Sequence, residues 1–244
     1  MTTTTFDCAA KVLTSDSRWS VHQGHLLVYI DDDVGFDKIE SEKGLCLLFA
    51  GDSAVIDQWK QWLRSGAGTS VMPSPKGIAI LIVEISSGNV LGHYGQEIAF
   101  QEGDPARPTA IFAGSGAYPA ANCWQANRCA HRAIDSAKLA DIFTGGNTKF
   151  FELSNSNTNV TNTISASGLR ALFKEKGMVM YLNGQSSAVP YKQAAANDVQ
   201  VAELGEKIAS GQLNLSAPCD AMFMTPTTEQ IEELRDVLTP FFGK

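Results

Sequence analysis

The sequence is short of positive charge. Its 19 lysines and arginines face 26 aspartates and glutamates, for a formal net charge of −7, and they gather into no run or stripe. Neutralising phosphates needs such a stripe, so nucleic acid is not an expected partner. Long apolar runs are lacking too. The longest, residues 45–50 and 78–85, have the length of a strand rather than of a bilayer span, so no membrane is expected. The first residues carry no charged segment leading into an apolar one. No secretory signal is read there, and a cytoplasmic location is the expectation.

Cysteine and histidine are sparse. Cys8, Cys46, Cys123, Cys129 and Cys219 stand at scattered spacings with no C-x-x-C pair, which points to reduced thiols rather than disulfides. His22 and His25 lie three apart in polar sequence, and His93 and His131 stand alone, so neither a metal site nor a cofactor is expected. There is no G-x-x-x-x-G-K-[ST] segment, so any nucleotide-driven unfolding must come from another protein. No internal repeat is visible.

What is present is a globular composition, 44% hydrophobic and 18% charged, sufficient for a buried core. The β-branched runs 2–7 and 11–15 read as a hairpin. Residues 17–35 are polar around an apolar 26–30, closing on the triplet Asp31-Asp32-Asp33, which reads as a solvated turn. Residues 44–51 are almost continuously apolar, the pattern of a strand buried on both faces. Asp52 or Ser53 then caps a helix in which Val55, Ile56, Trp59, Trp62 and Leu63 recur at helical spacing, and Gly66 ends it.

Strands are expected at 77–85 and about 90–94 around a Ser-Ser-Gly-Asn turn, with Gly/Pro-rich loops at 65–76 and 101–108. A short strand at 109–113 runs into Gly114-Ser115-Gly116, after which Pro119 opens a helix through about Ala137. A strand follows at 149–153, then an Asn/Ser/Thr-rich loop across 154–167. Leu169, Leu172 and Phe173 mark an amphipathic segment, followed by a strand at 178–182 and a helix at about 194–209. Thr227 with Gln230 three residues on caps a last helix carrying Ile231, Leu234 and Leu238 ahead of Pro240.

The run Thr2-Thr3-Thr4-Thr5 admits two readings. As a β-branched stretch it is an edge strand or an ordered tail. Alternatively, once Met1 is removed, Thr2 carries a hydroxyl nucleophile and a free α-amine on one residue, so nucleophile and base come together. With Met1 retained the nitrogen is an amide and the base is lost.

Taken in order, Thr2 to Thr5, Ser15-Asp16-Ser17-Arg18, Asp37-Lys38-Ile39, Phe49-Ala50-Gly51, and Gly114-Ser115-Gly116 with Asp141-Ile142-Phe143-Thr144-Gly145-Gly146 resemble the proteasome β-subunit family and its bacterial ring-forming relatives. These are N-terminal-nucleophile (Ntn) hydrolases. The resemblance covers residues 2–153. It implies an α+β fold, a four-layer αββα sandwich, with 1–153 as the proteasome-like core and 154–244 as the remaining strands and helices plus a C-terminal extension.

The resemblance further implies that Thr2 is the nucleophile and its amine the proton acceptor. Lys38 is the cation that makes the threonine pair a readier acid and base, held by Asp16 as counter-ion; the alternative for those two residues is an incidental surface ion pair, which the flanking strands disfavour. Gly51 matches the glycine whose N–H faces an oxyanion hole, and Phe49 and Ala50 match the neighbourhood of the substrate pocket. Ser115, Asp141 and Thr144 match an outer hydrogen-bonding set around the amine, although turn and cap chemistry accounts for them equally well. Asp52 departs from the family, which has a second glycine there, and the segment between Asp16 and Lys38 is longer than usual.

The implied function is a threonine peptidase acting on peptides or unfolded proteins inside a closed homo-oligomeric ring, six- or seven-fold, single or stacked, with any unfolding ATPase a separate partner. Two alternatives stay open: a catalytically silent ring or scaffold protein of the same fold, and an Ntn amidase acting on a small amide.

Overall fold

The β-branched N-terminal runs do form a hairpin. In the computed structural model, which describes residues 2–31, 34–95, 97–101, 108–183 and 185–243, β1 (Thr4–Asp7) pairs antiparallel with β2 (Val12–Ser15). Met1, whose removal the sequence reading requires, lies outside the described residues, as do Asp32 and Asp33 of the acidic triplet and residues 102–107 of the Pro/Gly loop.

The chain continues through β3 (Trp19–Gln23), β4 (Leu26–Ile30), β5 (Ile39–Glu42), β6 (Leu45–Asp52), α1 (Ser53–Ser65), β7 (Ile78–Glu84), β8 (Val90–Tyr94), β9 (Glu97–Phe100) and β10 (Ala110–Ala113). Then come α2 (Ala117–Asn127), α3 (Ala130–Ala140), β11 (Lys149–Glu152), α4 (Ala166–Lys176), β12 (Met178–Tyr181), β13 (Gln185–Pro190), α5 (Tyr191–Ala195), α6 (Val199–Ala209), β14 (Ser216–Ala217) and α7 (Thr228–Phe242). The protein is therefore mixed α/β, with seven α-helices among the described residues. Its strand pairings there are all antiparallel. No helix among them is long and apolar enough to cross a membrane.

Two sheets result. The smaller runs β11-β2-β1-β10-β9, and the larger runs β13-β12-β4-β3-β14-β6-β7-β8 with β5 also paired to β6. Side chains alternate between the two faces of a strand, and β6 shows the consequence. Cys46 and Leu48 join Phe6, Leu13, Ile111 and Phe151 of the smaller sheet in one buried cluster, while Leu45, Leu47 and Phe49 join Ile56, Trp59, Leu169, Leu204 and Leu238 in another. The outer side of the smaller sheet carries a third cluster, where Ala110 and Phe112 meet Ala120, Trp124, Ala133 and Ala137 of α2 and α3.

Several elements differ from the sequence reading. The helix read from Pro119 to about Ala137 is two helices, because Arg128 adopts φ 50° and Cys129 an extended conformation. The helix read at 194–209 is also divided: Asp198 accepts from the Gln200 and Val201 amides and so starts α6 afresh. Pro240 lies inside α7, in its last turn, and having no N–H it gives up the helical bond to the Asp236 carbonyl. Residues beyond 153 are woven into the larger sheet: β12 pairs with β4, and β14 is inserted between β3 and β6.

Candidate active site

The chain enters β1 through Thr2 and Thr3, and β2 leaves through Asp16, so the hairpin brings position 16 beside positions 2 and 3. The Asp16 amide donates to the Thr3 carbonyl at 3.2 Å, one rung beyond the Thr4–Ser15 pair. Asp16 is fully buried, and five groups donate to its carboxylate. Oδ1 accepts from the Thr2 hydroxyl, from the Thr3 amide at 3.0 Å and from Lys38 Nζ at 2.8 Å. Oδ2 accepts from the amides of Arg18 and Gly145, each at 3.1 Å. A buried carboxylate must find such donors or be costly to the fold.

Lys38 stands just before β5, its carbonyl accepting from the Phe49 amide at 2.8 Å. Its ammonium also donates to the Asp16 carbonyl at 3.0 Å and sits 5.4 Å from the Trp19 ring centre. Both Lys38 and Asp16 side chains are 0% exposed, so the reading of an incidental surface pair is wrong. Burial pushes the Lys38 ammonium below the ordinary lysine range, with the Asp16 charge and hydrogen bond opposing it.

A second line of hydroxyls arrives from the loop after α3. Thr144 Oγ1 donates to Asp141 Oδ2 at 2.6 Å, and Ser115 Oγ donates to the same oxygen. Because the Thr144 proton is spent on Asp141, the 2.8 Å contact between Thr3 and Thr144 has Thr3 as donor. The outer set therefore reaches the Thr3 hydroxyl. The Gly114 position shows how closely the chains approach: at φ 91°, a Cβ there would collide with the Thr2 carbonyl. The Gly116 amide points to that carbonyl, at 3.4 Å.

Thr2 and Lys38 are thus bonded to Asp16, Ser115 and Thr144 to Asp141, and the two sets meet at Thr3, whose amide donates to Asp16 and whose hydroxyl meets Thr144. Three residues of the sequence reading stand outside these sets, on β6. Phe49 is 0% exposed and packs in the helix-side cluster with Trp59, so alternation turns it away from the space between the sheets. Ala50 lines a cavity of about 20 Å³ between the sheets, with Thr4, Ala79, Gly95 and Ala113, space for about one water. Gly51 is registered against Ile78 on one side and Ala217 on the other, and its φ of 123° places a hypothetical Cβ 2.7 Å from the Ile78 Cα. Asp52 caps α1, accepting from the Ala54 amide at 2.7 Å.

Several contributors escaped the sequence reading. Arg18 forms a two-pronged ion pair with Asp31 at 2.6 and 2.7 Å, lies over the Tyr29 ring, and borders Gly145, whose amide serves Asp16. Ser17 Oγ accepts from the Asn147 amide at 2.8 Å and donates to the Asp31 carbonyl, tying the 141–147 loop to the Asp16 segment. Lys60 and Lys149 are fully buried. Both carried a signal: Lys60 falls four residues after Ile56 on the apolar face of α1, and Lys149 precedes Phe151 by two on the inward face of β11.

Among the described residues, no cluster of three or more His, Cys, Asp or Glu side chains is disposed to hold a metal ion. All five cysteines are free thiols. Compared with known families and with characterised proteins, the chain matches no family model and no curated sequence.

Proposed function

We propose that this protein is a threonine-type peptidase of the Ntn hydrolase class, with Thr2 as its nucleophile after removal of Met1. The observation that carries the reading is that one buried carboxylate, Asp16, takes both the Thr2 hydroxyl and the Lys38 ammonium. The stacking of α2 and α3 on the smaller sheet, that sheet on the larger one, and the larger sheet on α1, α4, α6 and α7 supports a four-layer αββα sandwich.

In the mature chain, Thr2 Oγ attacks the peptide carbonyl carbon and its proton passes to the α-amine. The amine returns that proton to the leaving nitrogen as the C–N bond breaks, leaving an ester on Thr2. Water, deprotonated by the same amine, attacks the ester and releases the acid and the free threonine. An α-amine titrates a little below pH 8, so a nearby cation need favour its neutral form only slightly. Lys38 provides that cation and Asp16 holds it. Gly51, which the resemblance assigns to the oxyanion hole, lies between β7 and β14 with its amide facing a neighbouring strand, so no oxyanion donor is assigned. Cytoplasmic location, a closed six- or seven-fold homo-oligomeric ring and a separate ATPase partner belong to the same proposal.

The test is Thr2→Ala in the processed protein, with hydrolysis of a fluorogenic peptide panel and labelling by a peptide epoxyketone as readouts. Both are expected to vanish. Unchanged labelling in the variant sinks the assignment.

A second reading, a catalytically silent member of the same fold, has its own observation. Thr2 is 0% exposed, and an enclosed hydroxyl meets no substrate. A protein that never loses Met1 and never takes the label belongs to that class.

A further inference from the structure

One buried ammonium beside the site plays no part in the reaction above. Lys60 projects from α1 into the backbone preceding β5, donating to the Asp37 carbonyl and, at 2.6 Å, to Asn162 Oδ1, with the Phe36 ring centre 4.3 Å away. Asn162 is bonded on both sides of Lys38: its Oδ1 accepts from the Asp37 amide at 2.9 Å, and its Nδ2 donates to the Ile39 carbonyl at 2.6 Å. Thr161 donates its amide to Asp37 Oδ2 at 2.8 Å, and Lys149 lies 3.5 Å from Asp37 Oδ1.

The Asn/Ser/Thr-rich stretch is therefore a strap. It leaves β11 with the Asn159 carbonyl accepting from Lys149 Nζ at 3.1 Å, crosses the backbone of residues 35–39, and bonds its Ile164 amide to the Gly35 carbonyl at 3.1 Å before α4 begins. Asn162 adopts φ 43°, a left-handed conformation that asparagine tolerates better than most residues. The residue that clamps Asp37 and Ile39 thus holds a backbone conformation that few L-residues adopt.

We propose that Asn162 and Lys60 are positioning residues for Lys38, fixing from the strap and from α1 the backbone from which its ammonium reaches Asp16. The proposal rests on the reading of Lys38 and Thr2 as the working pair. The groups around the Lys38 ammonium itself are Asp16, Asp31, Arg18 and the Trp19 ring. Asn162 and Lys60 bond to none of these groups; besides their bond to each other, they hold the backbone of Asp37 and Ile39 on either side of Lys38.

The experiment compares wild type, Asn162→Ala and Lys60→Met by two readouts. The first is acetylation of Lys38 by dilute acetic anhydride across a pH series, read by mass spectrometry against Lys174 as internal standard. Wild-type Lys38 is expected to be protected. In both variants its acetylation relative to Lys174 rises, and its pH midpoint moves up toward the ordinary lysine range as the ammonium gains water. The second readout is the rate of Thr2 labelling by a peptide epoxyketone, which falls on the order of 10- to 100-fold when a working group is misplaced.

A folded variant in which Lys38 stays protected, with its midpoint unmoved, overturns the proposal even if the melting temperature drops. Wild type that takes no label, together with variants in which Lys38 loosens, supports the positioning and counts against the peptidase reading. An unchanged label rate in a variant with loosened Lys38 counts against the role of Lys38 in the reaction. Should Asn162→Ala not fold, the milder Asn162→Ser is put to the same comparison beside Lys60→Met.

Discussion

The Lys38 ammonium donates to a carboxylate that also takes the Thr2 hydroxyl, whereas the Lys60 ammonium, held through the neighbouring residue Asp37, donates to a main-chain carbonyl and to an asparagine. Both lysines are fully buried and in both desolvation lowers the pKa, that of Lys60 to about 8. The difference lies in the partners. Around Asp16 the donors come from the hairpin, from the residue before β5 and from the loop after α3, and one of them is a hydroxyl suited to be a nucleophile. Around Asp37 the partners are amides, two lysines and the hydroxyl of Thr161 at 3.4 Å, a residue in mid-chain that has no α-amine to serve as its base. The same residue types build a candidate site for chemistry in one place and a brace in the other. A buried ion pair is by itself weak evidence for either, because its attraction barely offsets its desolvation.

Removing the first lysine should separate the clusters most sharply. Lys38→Ala is expected to abolish nearly all hydrolysis and labelling. It should also destabilise the fold by about 3–5 kcal/mol in urea titration, since Asp16 is left buried without its cation. Full activity in that variant would break the comparison.

Next in size is Gly114→Ala. The new Cβ meets the Thr2 carbonyl at a φ that alanine resists, so a cost on the order of 1–3 kcal/mol is expected. Displacement of Thr2 should slow labelling by on the order of 10²-fold. Equal labelling in the two proteins would show that Thr2 is not held as described.

The second cluster is best probed through pH. Lys60 titrates at about 8 when folded and at the ordinary lysine value when unfolded, with Glu40, Asp37, Arg64 and Asp57 the charges that act on it. Between those values the unfolded chain holds a proton that the folded one has lost, so stability rises with pH over that window. Lys38 contributes with the same sign. Lys60→Met should therefore show a smaller rise in urea midpoint above pH 8 than wild type; an equal rise contradicts the assignment. The smallest effect is expected from Ser115→Ala. Asp141 keeps the Thr144 hydroxyl and the Phe143 amide, so a loss of about 1 kcal/mol with labelling nearly unchanged is the expected outcome.

The sequence made the first cluster legible because its parts are short motifs at chain reversals. Asp16 ends a hairpin strand, Lys38 precedes another strand, and Gly114-Ser115-Gly116 turns from β10 into α2, so each segment names its own geometry. The capping box at Thr227 and Gln230 and the two-faced burial of β6 were legible for the same reason, being local patterns. The second cluster was not. Asn162 lies 123 residues from its Ile39 partner in a stretch whose composition says only that it is a loop, and no sequence pattern marks the backbone groups it bonds on either side of Lys38. The two-residue strand β14 was hidden for a like reason, since its pairing with β3 and β6 is entirely long-range. Phe49 shows the opposite error: a motif placed it beside the pocket, while alternation along β6 sent its ring to the helix side.

The central claim is that Thr2 is an N-terminal nucleophile, and intact-mass analysis of the native protein before and after treatment with a peptide epoxyketone tests it most directly. A chain lacking Met1 that gains one inhibitor mass, mapped to Thr2, is the expected result. A chain that retains Met1 throughout and gains no mass would contradict it.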